Sequence, residues 1–393
     1  MVGSRTVVVA HPSPDLYGSD LQLLETVTAF VDDGWDVMVV LPKDGPLEHL
    51  LRQRGARVIV APFPVVSRSL FRPQELLRFV LRSAQALVRA HQLLRKVRPA
   101  AVWVNTLTVP VWLAAAASMS RTPSVIHVHE AEEDAPRAIR LALTLPTLLA
   151  RAVVVNSRAA GRALTDVLPV VRARLTLVYN GVPQSEEGPG SPPAPHGGAH
   201  RLALVGRLSP RKGTDLALDA VAILRAQGFE VHLDLFGAVF PGYEWYEDDL
   251  RERASRPDLR GAVTFHGYVR PVSLAMADVV LVPSRVEPFG NVAVEAQLAW
   301  RPLVVSAVQG LTEIVDDRVT GLHFRPGSPE DLARAVAQLL EDRDLARRLA
   351  VAGHDRAVSS FSVARYHAGI ARVLRGAATR PTRASGNGAR DDS

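Results

Sequence analysis

The chain alternates short apolar runs with longer amphipathic stretches, and the alternation occurs twice. The first series of runs, rich in β-branched residues, ends near residue 180, and the second begins near residue 202. Apolar strands that alternate with helices predict a parallel sheet covered by helices on both faces. Two such series predict two doubly wound α/β domains, as does a length of 393 residues at roughly 150 residues per domain.

The strand candidates are short and apolar. In the first series they are residues 6–10, 36–41, 57–61, 101–104, 124–129, 152–156 and 175–179. In the second they are residues 202–205, 231–236, 263–266, 279–282, 303–306 and 322–324. Apolar residues recur at helical spacing between them, for example at 21–31, 136–150, 214–227, 291–300 and 330–340.

A stretch rich in proline and glycine separates the two series. Residues 184–200 read QSEEGPGSPPAPHGGAH and have no apolar period, which is typical of a linker. We therefore predict an N-terminal Rossmann-like domain over residues 1–183 and a C-terminal one over 201–360. A helical stretch at 361–378 is expected to pack back on the N-terminal domain, and the polar residues 379–393 are expected to form a disordered tail.

Composition excludes several classes of site. The chain has no cysteine, so disulfides, thiolate metal sites and cysteine nucleophiles are impossible. It shows neither a signal-peptide pattern nor an apolar run of about 18 residues, so we expect a cytoplasmic protein. The net charge of +6 comes almost entirely from arginine. Because this bias is spread along the chain, we interpret it as compositional and expect no nucleic-acid partner.

The loops after the first strand of each series lack the common nucleotide fingerprints. They read HPSPDLYGSD and GRLSPRKGTD, without G-x-G-x-x-G, and no G-x-x-x-x-G-K-[ST] occurs in the chain. This argues against a classical dinucleotide enzyme and against a P-loop enzyme.

The second of these loops is a candidate phosphate site. Arg207, Arg211 and Lys212 precede a helix that opens near residue 214. Guanidinium and ammonium groups beside a helix N-terminus can bind an anion. A solvated basic turn is the alternative, and it becomes less attractive because the loop follows a central strand.

Residues 283–300, PSRVEPFGNVAVEAQLAW, combine a loop with the start of a helix. Glu287 lies in the loop after strand 279–282 and can accept hydrogen bonds from sugar hydroxyls. Phe289, Gly290 and Asn291 lie at the helix start, where free backbone N–H groups can hold a diphosphate or a hydroxyl. Glu295, one turn further, can reach a ribose. The alternative is a loop glutamate and a helix-face glutamate without a ligand.

Two candidate elements lie in the N-terminal series. Gly18 and Ser19 open a helix, with Ser19 and Gln22 spaced as a capping box, so they form either a ligand loop or a plain helix start. His127 and His129 are two apart at a strand end and therefore point to one face. His129 and Glu130 can contact an acceptor; a structural histidine and a solvated acidic loop are the alternatives.

A cationic helix is predicted over residues 76–96. Arg78, Arg82, Arg89 and Lys96 lie on one stripe, opposite apolar residues that include Leu77 and Leu81. This pattern predicts either peripheral contact with an anionic membrane or a solvated surface.

These segments together resemble a known family. EPFGNVAVE matches the E-x-x-F-G-x-x-x-E element of retaining glycosyltransferases of family 4, which have the GT-B fold, and GRLSPRKG resembles their phosphate loop. NSRAA, YNGVP, MADVVLVPS and GLTEIVDDRVTGLHF also resemble that family, in its order. The resemblance implies two Rossmann-like domains that face each other across a cleft, with the acceptor bound by the first and the donor by the second.

The resemblance also implies residue roles. Arg207 and Lys212 would bind the diphosphate of a nucleoside-diphosphate sugar, Glu287 its sugar and Glu295 its ribose. Backbone amides would come from the helix start at 289–291, and further donor contacts from Gly18 and Ser19. His129 would lie against the transferred sugar.

The expected reaction is glycosyl transfer with retention, without cofactor and without metal, because Arg207 and Lys212 can stabilise the leaving diphosphate. A sugar-nucleotide epimerase, a phosphorylase and a non-catalytic nucleotide-sugar-binding protein remain alternatives.

Overall fold

The computed structural model describes residues 5–66, 73–119, 122–133, 135–184, 198–240, 242–269, 272–274 and 276–379. Most of the predicted linker, residues 185–197, and nearly all of the predicted tail, residues 380–393, lie outside this range. The described residues form two parallel sheets, each covered by helices, which confirms the predicted fold class.

The N-terminal sheet has seven parallel strands in the order β3-β2-β1-β4-β5-β6-β7. The strands are β1 Thr6–Ala10, β2 Asp36–Leu41, β3 Arg57–Val60, β4 Ala101–Val104, β5 Ser124–Val128, β6 Ala152–Val155 and β7 Leu175–Leu177. The connecting helices are α1 Gly18–Asp32, α2 Pro46–Gln53, α3 Pro73–Val97, α4 Val111–Ala117, α5 Arg137–Thr144 and α6 Arg158–Thr165. Valine dominates the central strands because both faces of the sheet are buried.

The C-terminal sheet has six parallel strands in the order β10-β9-β8-β11-β12-β13. They are β8 His200–Val205, β9 Val231–Phe236, β10 Val263–Gly267, β11 Val279–Val282, β12 Leu303–Ser306 and β13 Leu322–Phe324. The helices are α7 Thr214–Ala226, α8 Glu244–Ser255, α9 Asn291–Leu298, α10 Leu311–Ile314, α11 Pro329–Glu341, α12 Arg343–Ser360 and α13 Val363–Ala378. Two apolar clusters flank each sheet, one on each face.

The last helix belongs to the first domain by its packing. Tyr366, Ile370 and Leu374 of α13 are buried in the same apolar cluster as Leu23 and Phe30 of α1. The Tyr366 hydroxyl lies 2.5 Å from Thr26 Oγ1. The chain therefore crosses from the C-terminal sheet back to the N-terminal one, and residues 361 onward link the two domains a second time.

Two local predictions were wrong. The stretch 136–150 forms α5 followed by a 3-10 turn over Leu145–Leu149 rather than one helix. Pro146 explains the break, because it has no backbone N–H to donate to the carbonyl four residues earlier. Ser19 does not cap α1 either: the N-cap is Tyr17, two residues earlier, and the Asp20 carboxylate accepts a hydrogen bond from the backbone N–H of Tyr17 at 3.0 Å.

Candidate active site

The strand order of each sheet reverses at one point, and the loops at those points meet. In the N-terminal sheet the reversal lies between β1 and β4, and in the C-terminal sheet between β8 and β11. Open α/β sheets bind ligands outside the carboxyl ends of the strands at such positions. Tyr268 closes one side of the resulting cleft, because its hydroxyl donates to the Leu16 carbonyl of the other domain at 2.9 Å.

The phosphate loop rests directly on the end of β11. Its residues Pro210–Lys212 form a 3-10 turn, and Gly213 begins α7 in the left-handed region at φ +67°. A Cβ on Gly213 would come within 2.0 Å of the Pro283 carbonyl oxygen. Only glycine therefore allows the loop to approach this closely, and the approach brings Lys212 to the loop that contains Glu287.

Lys212 and Glu287, predicted from separate motifs, form an ion pair. The lysine Nζ lies 2.5 Å from Glu287 Oε2, and the Ser284 hydroxyl donates to the same carboxylate oxygen at 3.0 Å. The Glu287 side chain is 11% exposed and that of Lys212 is 30% exposed. A charged pair at the mouth of a cleft, open on the lysine side, is positioned to exchange partners with an anionic ligand.

Arg207 is held between two aromatic rings. Its guanidinium carbon lies 4.0 Å from the ring centre of Tyr17 and 3.0 Å from that of Phe240, which belong to different domains. Burial lowers the pKa of Arg207 to about 10, and its Nε–H has no hydrogen-bond partner among the described residues. The two rings meet edge to face and hold a guanidinium that still has a free donor, as expected for an anion-binding group.

The loop after Glu287 is anchored by its aromatic residue. Phe289 is buried against Tyr179 and Phe361, so its side chain belongs to the core. Gly290, at φ +119°, precedes the first residue of α9, Asn291. The anchored side chain fixes this loop, in which Phe289 and Gly290 are buried and Asn291 is partly buried at the start of α9.

Asn291 brings this helix start against the N-terminal domain. Its Oδ1 accepts a hydrogen bond from Asn180 Nδ2 at 3.0 Å, and its Nδ2 lies 3.8 Å from where a Cβ on Gly18 would be. Two predicted donor-site residues, Gly18 and Asn291, therefore face each other across the cleft. Ser19 follows Gly18 in the first turn of α1, and Glu295 lies partly buried one turn inside α9.

The N-terminal side of the cleft contains a histidine cluster that joins three strand ends. His11 Nε2 lies 2.8 Å from Asp20 Oδ1, and its Nδ1 lies 3.0 Å from Asn105 Nδ2. Asn105 Oδ1 in turn lies 3.1 Å from His129 Nε2. The ring of His129 packs 4.0 Å, centre to centre, from that of buried His127.

Burial keeps both of the neighbouring histidines neutral. It lowers the pKa of His129 to about 3, with a further contribution from His11, and it lowers the pKa of His127 as well. Neither ring nitrogen of His127 has a hydrogen-bond partner in the described part of the chain. His127 thus packs as a core ring, whereas His129 presents a neutral imidazole beside the cleft.

Glu130 is held by the strand end next to it. The Thr106 hydroxyl donates to its Oε1, and the backbone N–H of His129 donates to its Oε2 at 3.0 Å. Burial raises the pKa of this carboxyl. Among the described residues no hydrogen bond joins His129 or Glu130 directly to the Lys212–Glu287 pair.

Two contacts connect the acceptor-side loop to the C-terminal domain. Arg211 NH1 lies 3.0 Å from Glu132 Oε1, and Gln309 Nε2 donates to the Ala131 carbonyl at 3.0 Å. A third contact lies further out, where both carboxylate oxygens of Glu313 accept from the N-terminus of α6 at 2.8 Å. The predicted site residues therefore form two clusters, one per domain, joined through the predicted Arg211 and through Gln309 and Glu313, which were not predicted.

The missed residues had little signal in the sequence. His11 and Asn105 are the first residues after β1 and β4, and polar residues at that position are candidates for a site at the carboxyl ends of the strands. Tyr17 and Glu313 lie within quoted segments, but nothing there marks them individually, because the partners that show their roles come from the other domain. Gln309 lies just before the segment that begins at residue 310.

Among the described residues, no three or more His, Asp or Glu side chains cluster closely enough to hold a metal ion. No described helix is both long and apolar enough to cross a membrane.

Solved structures with the same architecture are GT-B proteins. HepE of Anabaena, crystallised with UDP and glucose, has a TM-score of 0.78 and 24% identity, covering 94% of this chain and 99% of that one. Sucrose-phosphate synthase of Thermosynechococcus elongatus has a TM-score of 0.74 and 21% identity, covering 95% and 98%. The two facing sheets and the cleft between their switch points define this chain as a GT-B fold protein.

Family models account for both halves. Residues 18–186 match the Glycosyltransferase Family 4 model, and residues 194–356 match the model of Glycosyl transferases group 1. Together the two matches identify a GT-B glycosyltransferase family protein, family 4-like over residues 18–186 and group 1-like over residues 194–356.

Curated relatives match mainly over part of the chain. D-inositol 3-phosphate glycosyltransferase of Nocardia farcinica is 32% identical over 56% of this chain and 52% of its own length. Glycogen synthase of Mycobacterium tuberculosis is 33% identical over 50% and 47%. The chain spans about half the length of the curated relatives it matches.

Proposed function

We propose that this protein transfers a glycosyl group from a nucleoside-diphosphate sugar to an acceptor hydroxyl, with retention of anomeric configuration and without a metal ion. The observation that carries the proposal is the convergence of Arg207, Lys212 and Glu287 at the β8/β11 switch point, opposite His129 and Glu130 of the other domain. The acceptor is a glycan, a lipid-linked sugar or a small molecule.

Lys212 and Glu287 serve the donor in two states. In the structure the Lys212 ammonium group and the Glu287 carboxylate pair at 2.5 Å. When the donor binds, its diphosphate provides a new partner for the ammonium group, and this frees the Glu287 carboxylate to accept hydrogen bonds from the sugar hydroxyls. The ion pair thereby keeps both groups folded into the cleft until the donor arrives.

Cationic side chains held in place by the fold stabilise the negative charge that develops on the leaving group. When the glycosidic bond breaks, its electron pair moves to the diphosphate oxygen, and Arg207, Lys212 and the start of α9 stabilise the added charge. The aromatic rings around Arg207 reduce its freedom to reorient, so less reorganisation is required during the reaction. In this arrangement the side chains supply the stabilisation that a metal ion supplies in other transferases.

The acceptor hydroxyl attacks from the same face that the diphosphate leaves, which gives retention without a paired nucleophile and acid. The departing diphosphate accepts the proton of the acceptor hydroxyl. His129, neutral because of burial, contacts the transferred sugar as a hydrogen-bonding group rather than as a charge. Glu130, whose pKa is raised by burial, faces the acceptor beside it.

Thermal stability in the presence of nucleoside diphosphates tests this proposal. A ligand that binds only the folded protein raises the unfolding midpoint. UDP, GDP, dTDP and ADP are compared with and without EDTA, for the wild-type protein and for Lys212→Ala. UDP is the first candidate, because HepE of Anabaena was crystallised with it. We expect one nucleotide to raise the midpoint, unaffected by EDTA, and the shift to be lost in the variant. No shift with any nucleotide argues against the donor site.

We further propose peripheral contact with anionic lipid, at the inner face of the cell membrane, through α3. This helix has 25 residues, about 37 Å at 1.5 Å per residue, whereas neighbouring β4 has four. Only its second half is packed: Ala86, Ala90 and Leu94 are buried, whereas Leu77 and Leu81 are 62% and 58% exposed. The first half therefore presents an apolar face to solvent.

Charge complements this face. Arg78, Arg82 and Arg89 lie exposed beside the apolar stripe and can contact lipid phosphates while the leucines enter the acyl boundary. The last described residue before the helix, Val66, is joined to the acceptor side of the cleft. Its backbone N–H donates to the Thr108 carbonyl at 2.8 Å, and the Thr108 hydroxyl lies 3.0 Å from that of Thr106, which donates to Glu130. Contact through α3 would bring a lipid-linked acceptor to the correct domain.

Vesicle sedimentation tests the membrane contact. Neutral phosphatidylcholine vesicles are compared with vesicles that contain phosphatidylglycerol. We expect binding only to the anionic vesicles, and its loss in the Leu77→Gln/Leu81→Gln double variant. Val358→Gln is the matched control, because Val358 is also exposed, at 46%, but lies on α12. Equal binding to both kinds of vesicle contradicts the proposal.

A further inference from the structure

Gln309 has a backbone conformation that normally requires glycine. Its φ is +36°, and only three other described non-glycine residues have positive φ: Arg98, Trp300 and Arg318. A side chain in this region costs free energy, so it persists where surrounding contacts hold it, and such positions concentrate at functional sites. Gln309 lies in the loop between β12 and α10, beside the Glu287 loop.

The side-chain amide of Gln309 joins the two halves of the cleft. Its Oε1 accepts a hydrogen bond from the backbone N–H of Glu287 at 3.0 Å. Its Nε2 donates to the carbonyl of Ala131, in the other domain, also at 3.0 Å. Ala131 is fully buried and follows Glu130 directly, so this bond ends next to the acceptor cluster.

The residue after Gln309, Gly310, also binds the backbone of Glu287. The backbone N–H of Gly310 donates to the Glu287 carbonyl at 3.0 Å. A Cβ on Gly310 would lie 2.4 Å from the Pro288 carbonyl oxygen, so the two loops touch backbone to backbone. Both the N–H and the C=O of Glu287 are therefore bound by residues 309–310, and the direction of the Glu287 side chain depends on them.

We propose that Gln309 is a positioning residue that couples the loop containing Glu287 to the loop containing Glu130 and Ala131. The transferred sugar faces the acceptor correctly only when both hydrogen bonds of the Gln309 side-chain amide are made. This rests on the glycosyl transfer proposed above. Glycine would satisfy the backbone at lower cost, but it could make neither bond.

Two variants separate the two bonds. Gln309→Glu retains an oxygen that can accept from the Glu287 N–H, but places a carboxylate oxygen against the Ala131 carbonyl. Gln309→Gly removes both bonds and relieves the backbone. Arg318→Gly is the control, because it relieves a similar backbone, at φ +60°, in an exposed turn away from the cleft.

The assay is steady-state release of nucleoside diphosphate in the presence of a panel of hydroxyl acceptors. The donor is whichever of UDP-glucose, GDP-mannose, dTDP-glucose and ADP-glucose the wild-type protein uses fastest. For Gln309→Glu we expect kcat to fall about tenfold, with a donor KM within threefold of wild type. For Gln309→Gly we expect kcat to fall and KM to rise. In both variants the affinity for the free nucleoside diphosphate stays within twofold, because Arg207 and Lys212 are untouched. Arg318→Gly behaves like wild type.

Other outcomes overturn the proposal. Wild-type kcat in Gln309→Glu shows that the bond to Ala131 does not couple the loops. Equal losses of affinity for donor and free nucleoside diphosphate show a general structural role. If none of the proteins turns over a donor, wild type included, both the proposed glycosyl transfer and the coupling are refuted. If the wild type is active and the variants are unchanged, only the coupling is refuted.

Discussion

Removing Lys212 should separate the stability of the site from its activity. In Lys212→Ala the Glu287 carboxylate, 11% exposed, keeps the Ser284 hydroxyl but loses its charged partner. A hydrogen bond to a charged group contributes about 1.5 to 3 kcal/mol. Because Lys212 is 30% exposed, solvent screening places the loss at the lower end, about 1 to 2 kcal/mol. That corresponds to a fall of roughly 2 to 8 °C in the unfolding midpoint.

The double variant Lys212→Ala/Glu287→Ala provides the decisive comparison. It no longer leaves a carboxylate without its cation, so its midpoint should rise above that of Lys212→Ala. Turnover should not recover, because the diphosphate still lacks a cation, and both variants should lose about 10²-fold in rate. The assays are differential scanning calorimetry and nucleoside diphosphate release at saturating donor. A double variant less stable than Lys212→Ala, or single-variant turnover within tenfold of wild type, refutes the reasoning.

Two further predictions concern groups around the cleft. Tyr17→Phe keeps a ring over Arg207 and should retain kcat/KM within threefold. Tyr17→Ala should lose roughly tenfold in kcat/KM, because a desolvated cation–π contact contributes about 1 to 2 kcal/mol. Equal losses of kcat/KM in the two variants contradict this. His129, whose folded pKa of about 3 lies below its unfolded value of about 6.5, stabilises the fold fully above pH 6.5 and loses that contribution as pH falls toward 3. Urea unfolding between pH 6 and 5 should therefore show a loss of about 1.2 kcal/mol from His129, which His129→Gln removes. Unchanged pH dependence in that variant contradicts this. Glu130, whose pKa is raised, acts in the opposite direction.

Much of the fold could be predicted because buried parallel strands have a simple requirement. Strands such as β1 and β11 are covered on both faces, so they are short, apolar and β-branched, and they stand out between amphipathic stretches. The exposure of the apolar face of α3 could not be predicted. Apolar residues at helical spacing look the same whether the face is buried or open to solvent, and the overhang of α3 beyond its sheet depends on tertiary structure.

Part of the candidate site could also be predicted from the sequence, and part could not. Lys212 and Glu287 could be predicted because each lies in a contiguous motif at a strand end, and the structure brings them within 2.5 Å. Gln309 and Tyr17 could not, because their partners lie more than 170 residues away in Ala131 and in Arg207 or Phe240. Contacts made across two separately folded sheets leave no periodic pattern in either one.

Release of nucleoside diphosphate in the presence and absence of an acceptor tests the central claim most directly. The wild-type protein is incubated with the four sugar nucleotides and a panel of hydroxyl acceptors, in EDTA, and the phosphorus NMR spectrum follows free diphosphate. We predict that one donor releases its nucleoside diphosphate faster when an acceptor is added, and that Lys212→Ala slows the release about 10²-fold. Interconversion of sugar nucleotides without release, or release that requires inorganic phosphate, would contradict glycosyl transfer.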